Sequence, residues 1–223
     1  MLLDEHVEEL LEKYVKDNSV ISFGTGPLNT TFLKKLALYI EDNGINVKVV
    51  PTSLALGELC SQLKIGSESL DDVEVDVAFD FADQVNKDFD YISNETTSLI
   101  RDKMIAQEAG ELVIVCEEEN FVDKLGGKMA LEINPFAIKK TLVHAMNLGD
   151  AKIRMQGNEP ALSETGNNFI DVEFDEVYSL NDLEYQAKNI PGVLETSLFI
   201  GFADRVLLHN EEKVLVKSRM TNK

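Results

Sequence analysis

The spacing of apolar residues restricts this chain more than any other feature. VEVDVAFD (73–80) and ELVIVCEE (111–118) are apolar over most of their length, the pattern of strands covered on both faces. VISFGTG (20–26) and VKVVPTS (47–53) are shorter strands of the same kind. Between them apolar residues return at helical intervals. Leu3, Val7, Leu10, Leu11 and Tyr14 predict a helix over 3–16, and Phe32, Leu33, Leu36, Ala37 and Ile40 one over 29–43. Further helices are predicted over 54–63 and 98–110, the second stopped by Gly110. Strands alternating with helices require right-handed crossovers and form an open parallel sheet. Ligands of such sheets bind beyond the carboxyl ends of the strands. Those ends are Gly24-Thr25-Gly26, Pro51-Thr52-Ser53, Asp80-Phe81-Ala82-Asp83 and residues 117–120.

The second half has a different rhythm. Strands over 129–136, 151–157, 167–175 and 193–201, with helices over 137–149 and 180–190, give the order β-α-β-β-α-β of a ferredoxin-like unit. Segments 203–210 and 213–218 predict a hairpin that returns to the first sheet. The expected fold is therefore α/β: a Rossmann-like parallel-sheet domain from residues 1–128 and 201–223, plus a smaller ferredoxin-like α+β domain from 129–200.

Charge narrows the partners. Forty acidic residues stand against 21 basic ones, a net charge of −19. Such a surface repels nucleic acid and anionic membranes, so neither is an expected partner. It also opposes a phosphorylated ligand unless cations are placed locally. No apolar run reaches the ~18 residues of a membrane span, and the acidic, amphipathic MLLDEHVEELLEKYV has no signal-peptide core. A cytoplasmic location is expected, with Cys60 and Cys116 as core thiols in a reducing compartment. His6, His144 and His209 show no metal-ligand spacing. Gly24-Thr25-Gly26 lacks the third glycine of a dinucleotide fingerprint, and there is no P-loop. No metal and no cofactor are expected.

Several short motifs occur in a fixed order. Gly24-Thr25-Gly26 resembles the turn G-x-G-T-G-S-T, Asp80-Phe81-Ala82-Asp83-Gln84 resembles D-G-A-D-E, and Leu99-Ile100-Arg101-Asp102-Lys103 resembles L-x-R-E-K. Phe121 to Gly126 followed by Leu131 to Phe136 resembles V-x-x-L-G…P-V-E-V-x-P-F. Ser163-Glu164-Thr165-Gly166-Asn167 resembles T-D-N-G-N, and Ile190-Pro191-Gly192-Val193 resembles I-P-G-V. Each is weak alone; together, in order, they make the chain similar to the type A ribose-5-phosphate isomerases.

That resemblance implies interconversion of an aldose phosphate and a ketose phosphate through an enediolate, in the pentose phosphate pathway. A carboxylate base moves the proton and a cation steadies the oxyanion. It also implies a sugar or sugar phosphate as small-molecule partner and a homo-oligomer, dimer or tetramer. Carried over by position, Asp80 and Asp83 handle hydroxyl protons, and Asp102 stands at the family's glutamate base. Gly24, Thr25, Gly26, Thr52, Ser53 and Ser93 line the substrate. Without the resemblance, Asp80 ends a strand, Asp83 opens a turn, and Asp102 is a surface acid between Arg101 and Lys103.

The departures are specific. The base is one methylene shorter at Asp102, and the family's lysine is Ser93. Its loop glycines are Asn94-Glu95-Thr96, and the glycine of D-G-A-D-E is Phe81. Pro27-Leu28 replaces Ser-Thr, Asn120 replaces a lysine, and Asp4 stands at a basic position. Lys87, Arg101, Lys103 and Lys124 read as solvated charges, while Arg154 is either a surface charge or within reach of the crevice. Reduced or altered isomerase activity is the expectation. The alternative is a non-catalytic or differently specific sugar-binding or sensor homologue.

Overall fold

The computed structural model describes residues 4–25, 29–174, 179–210 and 212–219. In chain order its first elements are α1 (Asp4–Tyr14), β1 (Val20–Phe23), α2 (Asn29–Asn43), β2 (Lys48–Pro51), α3 (Leu54–Gln62) and β3 (Gly66–Ser67). Then come β4 (Val75–Phe81), β5 (Gln84–Asn86), β6 (Tyr91–Ile92), α4 (Leu99–Glu108), β7 (Ala109–Glu117) and β8 (Phe121–Val122). Next are β9 (Gly127–Ile133), α5 (Ile138–Ala145), β10 (Asp150–Ile153), β11 (Met155–Gln156), β12 (Glu159–Pro160) and β13 (Asn168–Phe174). The last are α6 (Leu180–Lys188), β14 (Val193–Thr196), β15 (Leu198–Phe199), β16 (Arg205–His209) and β17 (Val214–Ser218).

A seven-stranded sheet runs β17-β16-β7-β4-β1-β2-β3. All its neighbours are parallel except the edge pair β16–β17. The returning hairpin of the sequence is this edge pair. Phe23, Phe32 and Phe79 pack within 5.7 Å of one another on one face, beneath α1 and α2. Ile105 and Ala106 of α4 cover the other face with Leu112, Ile114 and Val206. Covering both faces is why β4 and β7 are nearly continuous apolar runs. A second, antiparallel sheet runs β10-β13-β9-β14 against α5 and α6, the strand order of the ferredoxin-like unit. The fold is thus α/β, a parallel sheet with a smaller antiparallel layer, as expected.

Three local expectations change. The strand expected over 151–157 breaks at Arg154 into β10 and the β11–β12 hairpin. The strand expected over 193–201 divides, and its second part, β15, joins β6, β5 and β8 in a small four-stranded sheet. Those pieces are two or three residues long, too short to show a period of two. Lys103 is not solvated. It is buried between Glu184 and Glu195, each at 2.7 Å, because α6 and β14 bring acids to it.

Gly149 leads into β10, where the sheet leaves no room for a side chain. A Cβ there would stand 2.0 Å from the backbone oxygen of Glu173 on β13. Gly149→Ala is therefore expected to destabilise the fold by about 1–3 kcal/mol, read as a lower denaturant midpoint. An unchanged midpoint would contradict the β10–β13 pairing.

Candidate active site

In the parallel sheet the strand order reverses between β1 and β4, where ligands of such sheets bind. Gly24 leaves β1 with its N–H on the oxygen of Phe79 at 2.7 Å. A Cβ on Gly24 would lie 2.1 Å from Oδ1 of Asp80, so only glycine lets the turn lie against that carboxylate. Asp80, the penultimate residue of β4, is buried. It accepts from the N–H of Phe81 at 2.8 Å and from the Tyr91 hydroxyl at 3.0 Å. Burial pushes its carboxyl up to about 6, against the pull of those two bonds, and the neighbouring charge of Asp83 adds to the rise. Asp83 accepts from the N–H of Asn94 at 2.8 Å, which fixes the loop after β6.

Asp102 enters from the other side, in the first turn of α4. The Thr96 hydroxyl donates to its Oδ2, while its Oδ1 is buried without a hydrogen-bond partner. Burial first, then the charges of Asp80 and Glu132, push its carboxyl well above the usual range; Thr96 and Arg101 oppose this. Asp102 thus feels the charge of Asp80, and Asp80 that of Asp83. Ser93, at the lysine position, is buried and donates to the oxygen of Phe81 at 3.0 Å. Thr25 approaches Thr97 at 3.4 Å between hydroxyl oxygens.

Thr52 and Ser53 have protein partners. The Thr52 hydroxyl donates to the oxygen of Phe23 at 2.9 Å, and Ser53 caps α3 by accepting from the N–H of Leu56. Glu164 accepts the N–H of Leu54 at 2.8 Å and pairs with Arg101 at 2.9 Å, so an internal carboxylate already sits at the start of α3. Gly26, Pro27 and Leu28, and the side chain of Asp4, lie outside the described residues.

The substituted loop has its own supports. Phe81, Asn94, Glu95 and Thr96 are not among the residues with positive φ, so the missing glycines leave no strain. Phe81 extends β4 and packs its ring 5.6 Å from Phe32. Asn94 donates to the oxygen of Lys128 and accepts from the Ser197 hydroxyl, while Arg154 donates to the Asn94 oxygen. Above the loop lies a cavity of about 380 Å³ lined by Thr25, Asn94, Glu95, Thr96, Thr97, Lys128 and Arg154. Both of those cations pair with Asp171, Arg154 at 2.5 Å and Lys128 at 3.3 Å. Arg154 thus reaches the crevice.

Sequence reasoning passed over three contributors. Thr96 is marked only as a replacement for a loop glycine, and Tyr91 gave no signal beyond being polar near a loop. Glu132 did, as an acid inside the apolar run MALEINPF. Among the described residues, no group of three or more His, Cys, Asp or Glu is arranged to hold a metal ion, and no helix is long and apolar enough to cross a membrane.

Fold and site together define an α/β protein with buried carboxylates at the carboxyl edge of its parallel sheet. The family model described as ribose 5-phosphate isomerase A (phosphoriboisomerase A) matches residues 48–213. Ribose-5-phosphate isomerase A of Bacillus mycoides is 31% identical over 93% of this chain and 96% of its own length. That of Methanococcus aeolicus is 34% identical over 90% and 88%. The solved ribose 5-phosphate isomerase A of Methanocaldococcus jannaschii superposes with a TM-score of 0.88 at 30% identity, covering 97% of this chain and 98% of that one. A D-ribose-5-phosphate isomerase in complex with phospho-erythronic acid gives 0.88 at 31%, covering 98% and 100%. The chain belongs to the ribose 5-phosphate isomerase A family.

The raised carboxyl of Asp80 has a pH consequence. Between about pH 4 and 6 the folded state holds a proton that the unfolded state has released, so stability falls as pH rises through that window. From 3.8 to about 6, the loss is about 3 kcal/mol. Asp80→Asn removes the titration. In urea melts the parent should lose about that much stability relative to the variant between pH 4 and 7; a pH-independent difference would contradict the buried, raised carboxyl.

Proposed function

We propose that the chain binds a pentose phosphate in this crevice and interconverts its aldose and ketose forms, more slowly than relatives with the full residue set. The observation that carries this reading is the pair Asp80 and Asp102, one near the end of β4 and one in the first turn of α4, with the charge of Asp80 acting on Asp102 and Oδ1 of Asp102 unpartnered. In the reaction a carboxylate takes the proton from the carbon beside the carbonyl, and the carbonyl oxygen takes one to become an enediol. The proton then returns to the neighbouring carbon as the other hydroxyl gives up its own, so the carbonyl moves by one carbon with no net oxidation. Asp102 is the proposed base. Asp80 and Asp83 carry the hydroxyl protons, and Gly24, Thr25, Gly26, Thr52, Ser53 and Ser93 form the surround of the ligand. A homo-oligomer in the cytoplasm, serving the pentose phosphate pathway, belongs to the same reading.

Reduced turnover follows from the surroundings. The Ser93 hydroxyl is turned to Phe81 and brings no charge to a developing oxyanion. Removing one such stabiliser costs about 10²–10³-fold. A second reading, a sugar-binding homologue without turnover, is favoured by one observation: the Asn94-Glu95-Thr96 loop binds the protein itself, through Lys128, Ser197 and Asp102, where a glycine loop would leave its backbone open to a ligand.

The measurement that separates them is kcat/KM with ribose 5-phosphate, beside a thermal-shift series of free and phosphorylated pentoses. The expected value lies at least about 10²-fold below a relative that keeps the lysine. Ser93→Lys with Asp102→Glu should recover part of it. A value for the unmodified chain of about 10⁴–10⁸ M⁻¹s⁻¹, the ordinary enzyme range, would overturn reduced turnover. Binding without any turnover would select the second reading.

A further inference from the structure

Glu132 lies on β9 in the antiparallel sheet and is fully buried, 0% exposed. Its two oxygens face two different parts of the chain. Oε2 accepts from the Ser98 hydroxyl at 3.3 Å and the N–H of Ile100 at 3.1 Å, both at the start of α4. Oε1 accepts from Ser163 at 2.7 Å, Thr165 at 2.5 Å and the Asn167 amide at 3.0 Å, all in the loop before β13. The N–H of Ile100 is one of the amides that a helix leaves unsatisfied in its first turn, and negative charge is favoured at that end. Asp102 is in the same turn, its N–H bonded to the oxygen of Ser98 at 3.1 Å. The residue next to Thr165 in the loop, Glu164, reaches across to Arg101 and α3.

We propose that Glu132 is a positioning residue: one buried carboxylate that ties the first turn of α4 to the 163–167 loop and so sets where Asp102 stands. The value of Asp102 as a proton acceptor rests on the reading above; its placement by Glu132 does not. A passive buried acid needs only to be satisfied. Here every partner is a donor, and the donors divide cleanly between the two oxygens. An amide cannot copy that arrangement. Its oxygen serves one side, and its NH₂ turns toward donors on the other.

Glu132→Gln should therefore loosen one of the two attachments. Hydrogen exchange of the Ile100 amide, or of the 163–167 segment, should accelerate by about tenfold or more, the effect of losing a charge-assisted bond. The pH profile of kcat/KM supplies a readout that structural support alone would not move. Glu132 is one of the charges raising Asp102, so the acid limb should shift to lower pH in the variant. A folded variant with unchanged exchange at both segments and an unmoved limb would overturn the proposal.

If the parent shows no turnover of ribose 5-phosphate, the functional reading falls and the exchange measurement alone decides the placement of Asp102. Thr165→Val covers a glutamine variant that does not fold, since it removes one donor and keeps the charge. Faster exchange at both Ile100 and 163–167 supports a carboxylate that couples them. Acceleration confined to 163–167 counts against it.

Discussion

Three carboxylates, Asp80, Asp102 and Glu132, are withdrawn from water, and the charges of two of them act on the third, Asp102; each must be met by donors or by a proton. Each is met differently. Glu132 has donors on both oxygens. Asp80 has one backbone amide and one phenol. Asp102 has the Thr96 hydroxyl on one oxygen and nothing on the other. The local sequence follows from this requirement. Thr96 and Ser98 supply hydroxyls where a bare backbone would leave the acids unmatched, and Ser163 and Thr165 do the same on the facing loop. Asp102 is the one acid of the three left partly unanswered.

The replaced glycines show how a loop is rebuilt without strain. A glycine loop lets a ligand approach the backbone closely. In its place this chain has side chains that bind the protein itself. Asn94 holds to Lys128 and Ser197, Thr96 to Asp102 and to the N–H of Ser98, and Phe81 to the aromatic cluster under α2. What such a loop gains in fixed structure it loses in adaptability toward a guest.

The large elements were legible because buried parallel strands leave an unmistakable trace: VEVDVAFD and ELVIVCEE allow no other placement. The small sheet of β5, β6, β8 and β15 left none, since two residues cannot establish a period. The break at Arg154 was equally hidden, because the guanidinium turns the strand by meeting Asp171 and Asn94 from elsewhere in the chain. Site acids at strand ends were visible by position. Their partners were not: Tyr91 reaches Asp80 only through the pairing of β5 with β6, and the opposition of Glu132 to α4 depends on how the two sheets meet. Lys103 shows the converse, a residue with every mark of a surface charge that the fold encloses.

Helix α4 is held to the two sheets by different forces. Toward the parallel sheet its attachment is apolar, through Ile105 and Ala106. Toward the antiparallel sheet it adds to the apolar contact of Leu99 with Ala130 and Phe169 an ionic and hydrogen-bonded attachment, through Glu132 on one side and Glu195 with Thr196 on the other. Temperature acts chiefly on the first kind of seam, and salt and acidity on the second. The helix bearing Asp102 is thus moored at two berths that answer to separate weather, and the solvent can slacken one line while the other stays taut.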